Sequence, residues 1–285
     1  LAGDALTTGS SNVALGYNAL STEDAHGRNV ALGNSALATL NAGTHAYNTA
    51  VGYAAGQAVT TGTFNTIMGG LAGDSLTTGS YNTALGHDAL NAEDTTSFNT
   101  AIGSQALKVQ DGGANNTAIG RQAGLAVSTG SNNTILGRNA GDALTTGDNN
   151  IIIGYTAAAS AVDASNEITL GDGNISAIRC QVQSISALSD ERDKTNIKDS
   201  TYGLDYINSL RPVTFEWNNR EESIHKGTKD VGFIAQELQK VDDEYTKLVY
   251  ESNPERLEAS YARLIPVLVK AIQDLSEEVK QLKNK

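Results

Sequence analysis

The first two thirds of the chain repeat one short pattern of small, polar and apolar residues. The unit Asn-x-Ala/Ile-x-Gly recurs nine times, and seven of the eight spacings are 17 residues while the other is 19. A nearly constant period of this length predicts a solenoid in which each unit forms one rung of a stack. The copies are Asn12–Gly16, Asn29–Gly33, Asn48–Gly52, Asn65–Gly69, Asn82–Gly86, Asn99–Gly103, Asn116–Gly120, Asn133–Gly137 and Asn150–Gly154, with a degenerate last copy at Asn166–Gly171.

Each unit predicts a short strand. In Asn116-Thr117-Ala118-Ile119-Gly120 the alanine points to one side of the strand and its neighbours point to the other. A small-residue step, Gln122-Ala123-Gly124, and a Thr129-Gly130 turn follow, so we predict a rung of strand, corner, strand, corner. Nine rungs at about 4.8 Å would rise about 43 Å. The recurring asparagines predict a ladder of side-chain amide hydrogen bonds.

The last third of the chain has a different pattern. A helical stretch around 202–210 precedes an alternating strand over 211–217, and 230–238 predicts a short strand that enters a helix. The final segment has an unbroken a/d heptad register, which predicts a helix that associates with other helices. Its apolar positions are Tyr261, Ile265, Leu268, Ile272, Leu275, Val279 and Leu282.

Composition separates the same two regions. All three prolines follow Lys194, whereas nearly all the glycine precedes it. We therefore predict two domains, a repetitive β shaft or head over 1–188 and an α+β domain over 189–285 that ends in a long coiled-coil-type helix. A narrow, alanine-rich rung should bury little apolar surface in one copy, so we expect the shaft to be an obligate oligomer.

Charge and cysteine content exclude several classes of function. Residues 1–188 carry 13 acidic and 5 basic residues, and 189–285 carry 19 and 15, so both parts are acidic. We expect neither nucleic-acid binding nor membrane insertion, because an acidic surface repels phosphate groups. The single Cys180 fits a small buried apolar residue better than a disulfide or metal ligand. The chain starts at Leu1 rather than at a methionine, so we expect it to be a fragment.

The repeat offers little candidate chemistry. His26, His45 and His87 share no spacing that converges on a metal, so we expect no metal and no cofactor. The acidic pairs at 23–24 and 93–94 are interpreted as solvated loop charges, with glycosidase carboxylates as the alternative. Recurring aromatic residues predict either rung capping and packing or a sugar-stacking surface. They are Tyr17, Tyr47, Tyr53, Phe64, Tyr81, Phe98 and Tyr155.

The boundary between the two regions holds the strongest candidate. Directly after Leu188 the chain reads Ser-Asp-Glu-Arg-Asp-Lys, which places the Ser189 hydroxyl and the Lys194 amine five residues apart. Such a Ser/Lys pair can cut a peptide chain, whereas a polar linker is the alternative interpretation. Lys194 can act as a base only if desolvation or a nearby cation, such as Arg192, disfavours its ammonium form.

Three motifs in order carry a family resemblance: 189–194, Leu-Arg-Pro-Val-Thr-Phe-Glu-Trp at 210–217, and Gly-Phe-Ile-Ala-Gln-Glu at 232–237. This region resembles the C-terminal intramolecular chaperone of phage endosialidases, tail fibres and neck appendages. The same self-cleaving module occurs in myelin-regulatory-factor-type membrane transcription factors. The repeat, over about 12–171, resembles the heads of trimeric autotransporter adhesins and the shafts of phage tail fibres.

The resemblance implies a homotrimeric β-solenoid or β-roll followed by a chaperone that aligns three chains and then releases itself. It implies autoproteolysis between Leu188 and Ser189, with Ser189 as nucleophile and Lys194 as base, and no activity on external substrates. Possible supporting residues are Asp190, Arg192, Gln236 and Glu237.

The function expected from these observations is the distal part of a phage tail fibre or spike in the virion, assembled in the host cytoplasm. Its partners would be two further copies of itself and a host cell-surface receptor, either a glycan or an outer-surface protein. The alternatives are a bacterial trimeric surface adhesin and a tail-spike depolymerase with its catalytic domain further toward the N-terminus. A membrane transcription factor would need a basic DNA-binding domain and a transmembrane helix as well.

Overall fold

The chain divides into two units, Leu1–Gly173 and Asn174–Lys285. The computed structural model describes residues 1–23, 25–92, 95–179, 181, 189–218 and 226–284. The expectations for Asp24, for the pair at 93–94, for Cys180 and for Leu188 therefore lie outside the described residues. The predicted domain boundary at 188/189 stays a prediction.

The first unit is a parallel β-solenoid, which confirms the predicted class of this region. Its ten three-residue strands hydrogen-bond in sequence order into one sheet. Every strand pairs with the equivalent residues one rung away, as Ala101 does with Ala118. The strands are β1 (Val13–Leu15), β2 (Val30–Leu32), β3 (Thr49–Val51), β4 (Thr66–Met68), β5 (Thr83–Leu85), β6 (Thr100–Ile102), β7 (Thr117–Ile119), β8 (Thr134–Leu136), β9 (Ile151–Ile153) and β10 (Ile168–Leu170).

The predicted second strand of each rung is wrong. The step after β7 is a turn, because Gln122 and Gly124 adopt left-handed backbone conformations with φ of 59° and 60°. Two left-handed residues in three bend the chain sharply and cannot continue an extended strand. Each described rung thus has one strand, and turns close the rest of the circuit.

One copy of the solenoid closes a core of its own. The middle residue of β2 through β9 points inward and is buried, as Ala118 is, and alternation along the strand was predicted correctly. The turns add further alanines and larger apolar residues, such as Leu37 and Leu40 in one turn and Leu76 in another. The expectation that a single copy buries little apolar surface is therefore wrong, because these residues make a continuous core from Ala19 to Ala157.

Buried asparagines align the rungs, in a ladder that differs from the predicted one. The backbone N–H of Asn116 donates to Asn99 Oδ1 at 2.9 Å, and Asn116 Nδ2 donates to the Gly130 carbonyl at 2.7 Å. Most of the bonds thus run from side chain to backbone, although Asn133 Nδ2 also reaches Asn116 Oδ1 at 3.1 Å. Since these amides are buried with their partners, a slip between rungs would leave polar groups unpaired.

A column of glycines follows the strands for a steric reason. Gly103 has φ of 132°, and a Cβ built there would lie 2.4 Å from the carbonyl oxygen of Gly120 in the next rung. Backbones of neighbouring rungs approach so closely at this position that no side chain fits. The glycine that ends each predicted unit is therefore a stacking requirement.

This column predicts a sharp difference between two glycines. Gly103→Ala should disrupt stacking of its rung, because both the conformation and the space exclude a Cβ. Gly43→Ala is the matched control: Gly43 also has positive φ, at 66°, but a Cβ there meets no atom within 4 Å. In urea unfolding of the full chain we expect Gly43→Ala to cost about 1 kcal/mol and Gly103→Ala to cost more. Equal losses would contradict the steric argument.

The second unit is a small α+β structure, as predicted. Its described residues form two antiparallel two-stranded sheets and three helices around a core of Leu238, Leu248 and Leu264. Short 3₁₀ turns cover Glu191–Asp193 and Tyr261–Arg263. The regular elements are α1 (Leu204–Ser209), β11 (Val213–Glu216), β12 (Lys229–Gly232), α2 (Ala235–Leu238), β13 (Val249–Tyr250), β14 (Glu258–Ala259) and α3 (Leu264–Lys283).

Helix α3 presents two different faces. Val267 and Ala271 are buried, whereas the heptad positions on the helix are exposed, including Ile272 at 66% and Leu282 at 69%. Tyr261, the first predicted heptad position, lies in the 3₁₀ turn before the helix. The heptad face, here called the α3 seam, is thus exposed in the part of one copy that the structure describes.

Candidate active site

Ser189 and Lys194 lie side by side. Lys194 Nζ is 2.7 Å from Ser189 Oγ and donates to the Ser189 carbonyl oxygen at 3.0 Å. The turn at Glu191–Asp193 makes this possible, since it folds the chain back within five residues and the Lys194 N–H donates to the Glu191 carbonyl at 3.0 Å. A hydroxyl and an amine at this distance have the geometry that base-assisted nucleophilic attack requires.

The same turn is closed by an ion pair, here called the Asp190–Arg192 clamp. Asp190 Oδ1 accepts from the backbone N–H and from Nε of Arg192, both at 2.9 Å, and Oδ2 accepts from Nη2 at 2.6 Å. The hydrogen bonds from Arg192 hold the pKa of Asp190 below its ordinary value, and the bond to Asp190 raises the pKa of Arg192. Both predicted supporting residues of this motif are therefore engaged with each other.

In one copy this site is open to solvent. Ser189, Lys194 and the residues between them are all exposed. Leu188, whose carbonyl is the predicted point of attack, lies outside the described residues. A single copy thus holds the Ser189 hydroxyl and the Lys194 amine together at a site that water reaches.

Glu237 connects two of the three sequence motifs. Arg211 Nε donates to Glu237 Oε2 at 2.9 Å and Arg211 Nη2 to Oε1 at 2.5 Å, so α2 is fastened to the residues before β11. The bond to Arg211 holds the pKa of Glu237 below its ordinary value. Gln236 is exposed on α2. Sequence reasoning assigned no partner to Glu237, although opposite charges in the two motifs were the available signal.

The aromatic residues of four adjacent rungs form a stack along the solenoid. Tyr47, Phe64, Tyr81 and Phe98 lie with ring centroids 4.9 to 5.2 Å apart and planes within 10° of parallel. Arg28 covers the outer face of Tyr47, with its guanidinium carbon 5.2 Å from the ring centroid. Because neighbours cover both ring faces of Tyr47, Phe64 and Tyr81, the packing interpretation fits these three residues better than a sugar-stacking platform does.

The stack occupies a strained backbone position. Tyr81 has φ of 60°, a left-handed conformation that is costly for bulky residues. Later rungs place asparagine at this position, and Asn132 has the same φ of 60°. Asparagine tolerates this conformation better than other non-glycine residues. Ring stacking therefore compensates for backbone strain in the four aromatic rungs.

We expect Tyr81→Ala to destabilise the solenoid more than Tyr81→Asn. Both variants lose the two ring contacts, worth together about 1–3 kcal/mol, but asparagine relieves the backbone strain. Asn132→Ala is the control, because it changes the same backbone position without removing a stacked ring. Urea unfolding measures the three losses, and an Asn132→Ala loss as large as that of Tyr81→Ala would contradict the stacking argument.

Glu23 is buried, so its interpretation as a solvated loop charge is wrong. It occupies the inward position that Leu40 and Leu76 fill in other rungs, and Oε1 accepts the His26 N–H at 3.0 Å. Among the described residues no three or more His, Cys, Asp or Glu side chains are placed to hold a metal ion. No described helix has the length and apolar character needed to cross a membrane.

Comparison with known proteins supports the resemblance seen in the sequence. Residues 189–250 match a peptidase-type family described as the chaperone of endosialidase, so the resemblance is confirmed for this segment. The chain is also 33% identical over 116 residues to the long tail fiber protein Gp37 of Enterobacteria phage Ox2. That match covers 40% of this chain and 43% of the relative, so the chain spans less than half of the relative's length. No solved structure matches the chain.

Proposed function

We propose that this chain is the distal part of a phage tail fibre whose C-terminal domain drives trimerisation and then releases itself by autoproteolysis. One observation carries the proposal: the chaperone match begins at Ser189, the residue whose hydroxyl lies 2.7 Å from Lys194 Nζ. The tail-fibre relative favours a fibre over a bacterial adhesin. Its setting would be the virion and its external partner a host cell-surface receptor, either a glycan or an outer-surface protein.

The surface of the solenoid supports association of several copies. The last residue of each strand points outward, and in all ten strands it is apolar. Seven of these side chains are exposed and the other three are half-buried, so they form an uncovered apolar line, here called the apolar column. It consists of Leu15, Leu32, Val51, Met68, Leu85, Ile102, Ile119, Leu136, Ile153 and Leu170.

The regular spacing of the apolar column indicates what covers it. One apolar side chain per rung gives a repeat of about 4.8 Å, and a partner must present apolar groups at the same interval. Another copy of the solenoid does so over the full length. The α3 seam gives a second, independent surface of the kind that joins identical helices. Three copies in parallel register would cover both surfaces.

The proposed reaction proceeds within one chain. Neutral Lys194 takes the proton from Ser189 Oγ, and Oγ attacks the carbonyl carbon of Leu188. The bond from that carbon to the Ser189 nitrogen breaks, the nitrogen leaves as an amine with the proton, and an ester joins Leu188 to Oγ. Water then hydrolyses the ester, leaving a carboxylate on Leu188 and a free Ser189 hydroxyl. Because the Leu188 carbonyl is adjacent in the same chain, Ser189 Oγ has only to be oriented toward it and does not have to reach it by diffusion, which lowers the barrier.

Trimerisation would supply what one copy lacks. Ser189 and Lys194 are exposed in the single chain, and burial at a contact between copies would exclude water and disfavour the ammonium form. Cleavage would then follow assembly. Loss of the template after the rods have formed removes the reverse path, so the released fibre is kinetically stable.

The catalytic proposal predicts that cleavage needs both side chains. The full chain should yield one fragment that ends at Leu188 and another that begins at Ser189, and Ser189→Ala or Lys194→Ala should reduce cleavage at least about 100-fold. Lys198→Ala, which removes another exposed lysine of this region, should cut like the wild type. Denaturing electrophoresis with intact mass measures all four proteins. Uncut wild-type chains in assembled trimers would refute the proposal.

The assembly proposal predicts that a charge in the apolar column weakens association. Leu136→Asp should lower the association constant at least about tenfold, because a carboxylate would lose water on contact. Ala143→Asp places the same charge at an exposed turn position outside the column and should associate like the wild type. Both variants should also carry Ser189→Ala, so that the chain stays intact. Sedimentation equilibrium gives the mass, and unchanged trimers of Leu136→Asp would remove the column from the interface.

A further inference from the structure

We propose that Asp190 and Arg192 are positioning residues for the autoproteolytic reaction, holding Lys194 against Ser189 and keeping the charge around Lys194 balanced. This inference rests on the proposed function. It assigns to the clamp two separable effects, one on geometry and one on charge.

The geometric effect follows from the number of bonds that converge on Asp190. Its carboxylate accepts three hydrogen bonds from Arg192, and its carbonyl oxygen accepts the Asp193 N–H at 3.2 Å. Asp190 is also the N-cap of the turn, through the bond from the Arg192 backbone N–H. One residue thus closes the turn with its side chain and with its backbone.

This closure determines how often the reacting groups meet. Ser189 and Lys194 are the residues that flank the clamped turn, and all six residues from 189 to 194 are exposed, so packing against a core does not hold them. Without the clamp the segment would sample many conformations in which Nζ is far from Oγ. Restricting the two groups to a near-attack arrangement raises their effective concentration and hence the rate.

The charge effect follows from the pairing itself. A free Arg192 would disfavour the ammonium form of Lys194, and a free Asp190 carboxylate would favour it. The bidentate contact cancels these opposite influences. Arg192 is therefore not available as the lone cation that the sequence suggested, and the proposal assigns activation of the amine to burial on assembly. Glu191 and Asp193 are the other charged groups on this turn.

The experiment measures the cleavage rate of the full chain against pH. Wild type, Asp190→Ala, Arg192→Ala and the double variant are refolded from urea at about pH 6 to 10, a range that lies below the ordinary lysine pKa of about 10.4. Glu191→Ala is the matched control, because it removes a charge from the same turn but leaves the clamp. Sedimentation of each protein carrying Ser189→Ala in addition establishes that it forms trimers.

We expect each single variant to lower the maximal rate about 10- to 100-fold while trimers still form. The pH midpoint of the rate should fall in Asp190→Ala, which frees a cation, and rise in Arg192→Ala, which frees a carboxylate. In the double variant it should return to the wild-type value. A merely structural role would not produce opposite shifts that cancel.

Asp190→Asn and Arg192→Lys keep the test decisive if the alanine variants fail to form trimers. In Asp190→Asn the side chain retains an acceptor for the Arg192 N–H, and in Arg192→Lys it retains the positive charge but not the bidentate contact. Both variants should therefore cut faster than any alanine variant that forms trimers and slower than the wild type. Wild-type rates and midpoints in the clamp variants, with cleavage still lost in Ser189→Ala, would overturn this inference and leave the proposed function intact. Absence of wild-type cleavage would overturn the proposed function itself.

Discussion

The contact between successive rungs is the constraint on which the rest of the solenoid depends. At the end of each strand two glycine backbones meet with no room for a side chain, as at Gly103 and Gly120, while a buried asparagine accepts the N–H of its equivalent one rung away. These contacts are correct in one register only, since a shift would bury unpaired amides or drive side chains into backbone. Each of these bonds joins residues 17 positions apart along most of the solenoid, so none forms until two rungs are in place.

A single copy closes a continuous apolar core but leaves two regular apolar surfaces exposed. The apolar column has one side chain per rung, and the α3 seam follows the heptad repeat, so each has a fixed period along one direction. Scattered exposed apolar residues are ordinary, whereas periodic lines of them indicate a partner with the same period. The two surfaces belong to different units and have different secondary structure. Identical partner chains satisfy both periods at once.

Features that follow a periodic pattern could be predicted from the sequence, whereas contacts between residues that only folding brings together could not. Spacing located the rungs, alternation placed Ala118 inside, and the heptads located α3. The second strand was wrong because Gln122 adopts a left-handed conformation that small residues alone do not reveal. The burial of Glu23 and the bond from Arg211 to Glu237 depend on side chains brought together only by folding. The proximity of Ser189 and Lys194 could be predicted from the sequence because a single local turn creates it.

Under the proposed mechanism, that local turn would allow a self-cutting chain to remain intact while it is still needed as a template. Folding within five residues gives the Ser189 and Lys194 side chains their contact, independently of any other copy. The proposed mechanism requires desolvation of the amine in addition, because Lys194 is exposed in a single copy. In this proposal the contact between the two side chains depends on the single chain, whereas activation of the Lys194 amine depends on the assembly. Under this proposal, cleavage that depends on burial between copies would proceed only after the copies have met and the template is no longer needed.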